Sequence, residues 1–194
     1  MRYNLSEIVE VIKDRRTIFP EQFSGRKVHK EIVQNLLGSG LWAPNHGKTE
    51  PWRFTVFMGD ETRQLAKAQQ AFYKANTAPD VFIQSKYDRY QKRADATSAI
   101  IGLGMKRQEL EKIPEEEEVI AVGCAAQNIM LHATAYGIGS YWSSGKFIFS
   151  REARELLKLD ERDRILGFLY LGYPEIDWPK SHRKPVEYVT DWRD

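Results

Sequence analysis

Four short clusters along the chain carry groups suited to holding a charged or flat ligand. Arg15-Arg16-Thr17 sets two guanidiniums beside a hydroxyl. That combination suits a phosphate or a polarised carbonyl, because arginine offers a planar fork of donors that keeps its proton. Trp42-Ala43-Pro44-Asn45-His46 and Pro51-Trp52-Arg53-Phe54 make a proline-punctuated, aromatic-rich stretch of the kind that lines a pocket for a flat ligand. Ser140-Tyr141-Trp142-Ser143-Ser144-Gly145-Lys146 ends in small residues whose backbone N–H groups can face an anion or a carbonyl. Lys180-Ser181-His182-Arg183-Lys184-Pro185 adds a basic run near the C-terminus.

Taken singly, each cluster has a plain structural alternative. The arginines can compensate the C-terminal dipole of a helix, Trp42 and Trp52 can be core residues, the serine-glycine run can be a simple strand-to-helix loop, and the basic run can be a solvated surface. Other chemistries find no residues. The chain has no G-x-x-x-x-G-K-[ST] loop, and Gly102-Leu103-Gly104 and Gly137-Ile138-Gly139 both lack the third glycine of a dinucleotide fingerprint. There is no H-E-x-x-H, C-x-x-C or G-x-S-x-G, and His29, His46, His132 and His182 are scattered, so neither a metal site nor a serine hydrolase is expected. The single cysteine, Cys124, reads as an inert thiol inside a helix. No side chain is assigned a catalytic role.

The elements that must position these clusters follow from periodicity. Leu5, Ile8, Val9 and Ile12 form one apolar helical stripe, opened by Asn4 and Glu7 as a capping box and ending near Asp14. A second helix is expected from about Lys30 to Leu41, with Ile32, Leu36 and Leu37 inward and Pro44 blocking its continuation. Arg53 to Met58 reads as a strand that turns at Gly59-Asp60. The polar stretch from Glu61 to Asp95, broken at Pro79, is a helical excursion within the same domain, and Ala99 to Met105 has strand length. A longer helix begins at Pro114, with Glu115 to Glu118 against its positive end and Gly137 at its C-cap; its small interior residues admit a closely packed neighbour. Ile138 to Trp142 is a strand, Ser150 caps a short helix through Leu157, and Arg164 to Gly172 is apolar enough on both faces to be a central strand. Three prolines keep the tail extended, with Val186 to Val189 expected as an edge strand.

Composition sets the class. The 29 basic and 27 acidic residues leave a formal net charge of +2, which argues against a nucleic-acid binder. The segment from Val119 to Gly145 carries no formal charge, but Gln127, Asn128, His132 and Thr134 interrupt it and the mean hydropathy of the chain is −0.54, so a buried helix is expected there and no membrane span. Polar residues throughout the first thirteen positions and the lone thiol point to a cytoplasmic setting.

In chain order, R-R-T after the first helix, A-P-N-H followed by E-P-W-R-F, G-I-G-S-Y-W-S-S-G, I-L-G-F-L-Y-L-G-Y-P and the R-K-P of the tail resemble the nitroreductase family of FMN-dependent oxidoreductases, in its compact bacterial branch. The likeness runs from about Ser6 to Val189, with Thr17 keeping a hydroxyl where the family's R-R-S pattern ends in serine, and Glu50 standing where the family commonly has Gln or Asn. It implies a single domain over residues 1–194 with an α+β, three-layer sandwich: a mixed, mostly antiparallel sheet flanked by helices. It also implies a homodimer with FMN at the subunit interface. On that resemblance Arg15, Arg16, Thr17 and Arg183 fall on the flavin and its phosphate, and Trp142, Ser143 and Ser144 on the isoalloxazine ring. Trp42 falls on the cofactor of the partner subunit and His46 on that of its own. NADH or NADPH would be the electron donor, and a nitroaromatic, a quinone or a similar small molecule the acceptor. The alternatives are a dehydrogenase or dehalogenase of the same superfamily, a flavin-binding or regulatory protein without efficient turnover, and a helical module whose basic clusters bind acidic partners.

Overall fold

Residues 3–193 are described in the computed structural model. The first helix, α1 (Leu5–Asp14), starts where its cap predicts, the Asn4 side-chain oxygen accepting from the Ser6 N–H at 3.1 Å. Then follow α2 (Lys30–Gly40), β1 (Trp52–Met58), α3 (Asp60–Ala75), α4 (Gln84–Ala96), β2 (Ala99–Met105), α5 (Glu115–Ala135), β3 (Gly139–Ser143), α6 (Arg151–Leu157) and β4 (Arg164–Gly172). The polar stretch after β1 is therefore the α3–α4 pair. No helix among the described residues is long and apolar enough to cross a membrane.

The strands lie in the order β1-β2-β4-β3, and every neighbouring pair is antiparallel. The mixed character comes from one parallel bridge, Thr17 to Ser140, beside the β3 edge. Because side chains alternate across a strand, β2 sends Ala99, Ile101, Leu103 and Met105 to one face and Ile100 to the other. The first face packs on α2 and α5, where Val33, Leu36, Ala125, Ala126 and Ile129 are buried. The second packs on α3, α6 and the turn after β3, through Leu65, Phe147, Ala153 and Leu157. That is the three-layer α+β sandwich expected from the chain, and the small residues of α5 are what let α2 come close. β4 is internal, as its two-sided apolar character requires.

One expectation changes. Val186 to Val189 forms no strand: Val186–Tyr188 is a short 3-10 turn, with the Tyr188 N–H donating to the Pro185 carbonyl at 3.2 Å and Val189 exposed. β-branched residues favour a strand only on a pleated, half-buried surface, and here the tail meets no sheet edge. Glu115 to Glu118 occupy the first turn of α5 as expected, and among them Glu118 is buried. Its side chain is 1% exposed and ion-paired with Arg107, which also donates to the Ile113 carbonyl at 2.7 Å and through its backbone N–H to Asp163 at 2.8 Å. A carboxylate at that depth needs such a partner, and the pair pins the short connection between β2 and α5.

Gly167 has φ +147°, a region that favours glycine, and an added Cβ would run into the Trp142 indole nitrogen and, at 2.6 Å, the Ser143 carbonyl oxygen. Trp142 uses that space to donate its indole N–H to the Leu166 carbonyl at 2.9 Å, which locks the end of β3 against β4. Gly167→Ala is expected to cost about 2–3 kcal/mol and lower the melting temperature by about 4–12 °C, measured by calorimetry.

Candidate functional site

The segment after α1 is drawn onto the sheet by backbone bonds. The Ile18 N–H donates to the Ser140 carbonyl at 3.0 Å, and the Ser24 N–H to the Tyr173 carbonyl at 2.8 Å. Gly139 makes room for this crossing, since a Cβ there would lie 2.8 Å from the Ile18 Cβ. Arg15, Arg16 and Thr17 are thus fixed beside β3. With a rise of about 3.3 Å per residue, Ser143 stands roughly 10 Å further along the strand than the Thr17–Ser140 bridge.

Arg183 comes back from the tail to this place. Lys13, Arg16, Ser181, His182 and Arg183 line one cleft of about 380 Å³. The Arg16 guanidinium bonds the Lys13 and Arg15 carbonyls, while its Nε is buried with no hydrogen-bond partner. Burial, and then the fields of Arg16 and Arg183, hold the Arg15 pKa below its ordinary value. Among the described residues none of these three arginines is ion-paired with a carboxylate. Converging cations, one orphaned buried donor and no counter-charge make a site for a dianion such as a phosphate.

The remaining residues fall into two groups. Trp142 is half-buried and structural through its bond to Leu166, whereas Ser143 is half-buried, Ser144 is exposed, and both hydroxyls stand without hydrogen bonds among the described residues. They end β3 on the same edge as the arginines. Trp42 and His46 belong to the α2–α5 layer and line no part of the arginine cleft. Trp42 is 87% exposed above a cleft shared with Val11, Asn128 and His132, while Trp52, 5% exposed, is a core residue. His46 Nδ1 lies 2.6 Å from Glu117 at the start of α5.

Sequence reasoning missed two contributors. Lys13 joins the cleft because it sits three residues before Arg16, a spacing that a helix's last turn converts into proximity. Arg93 has no such signal: from α4 it donates to Glu21 at 2.7 Å and to the Tyr141 hydroxyl at 3.3 Å, with its guanidinium 4.8 Å above the Tyr141 ring. That clamp ties α4 to β3 and to the turn after Phe19, and so steadies the arginine segment.

Comparison with known proteins agrees with this fold. The model of the nitroreductase family matches residues 12–173. The protein of Escherichia coli K12 that carries the name NAD(P)H nitroreductase YdjA is 32% identical over 162 residues, spanning 82% of this chain and 86% of its own. The crystal structure of a nitroreductase-like protein from Bacillus cereus superposes with a TM-score of 0.78 at 26% identity, covering 100% of this chain and 98% of the other. A nitroreductase homologue from Desulfovibrio desulfuricans, crystallised with FMN, gives 0.70 at 26% identity, with 99% of each chain covered.

The cleft itself can be tested with a simple anion. Inorganic phosphate should raise the melting temperature by about 2–4 °C over sodium chloride of equal ionic strength, and Arg183→Gln should remove that increment while leaving the melting temperature in chloride unchanged.

Proposed function

The chain belongs to the nitroreductase family, and from that premise we propose that it is an FMN-dependent oxidoreductase moving hydride from NADH or NADPH to a nitroaromatic, a quinone or a related small acceptor. The observation that carries this reading is the convergence of Arg15, Arg16 and Arg183 with a buried, unpartnered Arg16 Nε and, among the described residues, no carboxylate ion-paired with them. The FMN phosphate fits that donor set: it is a dianion, and a guanidinium can meet two of its oxygens at once.

When bound, FMN supplies the chemistry, a two-electron exchange at its N5 between reduced nicotinamide and acceptor. The chain's own part is binding and electrostatics. Arg15, Arg16 and Arg183 hold the phosphate, with the Thr17 hydroxyl beside them. Ser143, Ser144 and the backbone before Gly145, at the end of β3, would offer donors to the negative charge that reduction adds; such fixed dipoles cost no reorganisation when the charge appears. Trp142 acts through the backbone, holding the end of β3 in place by its bond to Leu166.

The same reading makes the whole chain one unit of a cytoplasmic homodimer with the flavin between subunits. Leu5, Ile8, Val9 and Ile12 of α1 are 45–57% exposed, and Ile120 on α5 is 62% exposed, apolar side chains left uncovered among the described residues. In the dimer Trp42 would reach the partner's flavin and His46 would lie by its own, which accounts for the exposure of both.

The test is a visible spectrum after loading with FMN and removing the excess, followed by anaerobic NADH and NADPH. Retained flavin peaks that bleach within seconds, in a species of twice the 22.5 kDa chain mass, are the expected result. Arg16→Gln and Arg183→Gln should each weaken FMN at least about tenfold yet leave riboflavin, which has no phosphate, unaffected. A protein that retains no flavin, or loses riboflavin equally, would defeat the assignment; bound flavin that bleaches only over hours would favour a flavin-binding protein without turnover.

A further inference from the structure

A second cleft lies on the opposite helical layer, between the α3–α4 pair and the loop that follows β3, with a volume of about 480 Å³. That is the size of a site for one ring and its substituents. Its walls are aromatic: Phe72 and Phe147 meet edge to face at 5.6 Å, and Tyr73 and Tyr90 lie 6.2 Å apart. Tyr73 is locked, its hydroxyl accepting from the Ile83 N–H at 3.0 Å and its ring packed on Phe82 at 5.2 Å.

The charged groups that line this cleft among the described residues are both cationic. Lys86 Nζ stands 4.8 Å over the Tyr73 ring, Lys146 enters from the loop, and no carboxylate lines the space. Neither lysine is ion-paired among the described residues, and the Tyr90 hydroxyl makes no hydrogen bond there. Burial raises the Tyr90 pKa, so the phenol stays protonated and can donate at neutral pH. Two ammonium groups and a phenol above aromatic walls recognise a ring by stacking and a single negative charge by charge-assisted bonds.

We propose that this cleft binds a flat aromatic carboxylate. Binding follows from the cleft alone. Its catalytic consequence, that reducible arene carboxylates are favoured acceptors, rests on the flavin reading, because Gly145 joins the cleft to the Ser143-Ser144 end of β3.

The experiment is calorimetric titration of the flavin-loaded and the flavin-free protein with 4-nitrobenzoate and, as its uncharged counterpart, nitrobenzene. One 4-nitrobenzoate per chain is expected in both forms, at least about tenfold tighter than nitrobenzene, with about a fivefold loss in each of Lys86→Gln and Lys146→Gln. Nitrobenzene affinity, flavin content and melting temperature should not change in those variants. Equal affinity for the two arenes, indifference to both lysines, or displacement of FMN by the carboxylate would overturn the proposal. If flavin does not bind but lysine-dependent binding of 4-nitrobenzoate persists, the flavin reading falls and this one stands.

Discussion

The hydrogen bond from the Ile18 N–H to the Ser140 carbonyl, 3.0 Å long and made over the bare backbone of Gly139, decides which distant parts of the chain become neighbours. It turns the end of α1 along the β3 edge, so that Arg15 and Arg16 from the N-terminal segment and Ser143 and Ser144 at the end of β3 share one side of the sheet. Everything else at this end reinforces the crossing. Phe23 bridges Pro174, Ser24 bonds Tyr173, and Arg93 reaches across from α4 to hold Glu21 and Tyr141 together. A rigid sheet supplies the precision, and the crossing transfers it to a loop that has none of its own.

The cationic cleft shows what such a frame can hold. Burial first, and then the fields of Arg16 and Arg183, oppose the charge on Arg15, and its lowered pKa expresses that opposition. An isolated, flexible segment would relax by swinging its guanidiniums into water. Here the backbone is pinned at residues 18 and 24, and Arg16 spends its terminal nitrogens on nearby carbonyls while its Nε stays buried. An anion in the cleft would offset that opposition.

The two sheet faces differ in what their helices leave uncovered. On the α2–α5 side, small residues bring the helices close and leave the α1 stripe, Ile120 and Trp42 exposed. On the α3–α6 side, larger aromatic residues pack around Phe147 and Phe168 and leave a cleft under α3 and α4.

Much of this was legible in the residues. The caps at Asn4 and Ser150, the alternation in β1, the two-sided apolar run of β4 and the small-residue face of α5 are local rules, each decided within a few positions by hydrogen-bond geometry or side-chain size. The family pattern, five short motifs in order, also needs only the chain. What required the tertiary structure was every relation between far-apart residues. The meeting of Arg183 with Arg16, the clamp of Arg93 on Tyr141, the burial of Glu118 against Arg107 and the division of Trp42 from Trp52 into surface and core carry no periodic signature. Nor could a β-rich stretch at Val186 to Val189 reveal that no edge awaited it. Local chemistry is encoded position by position, but burial and electrostatic pairing exist only once the sheet has brought its two ends together.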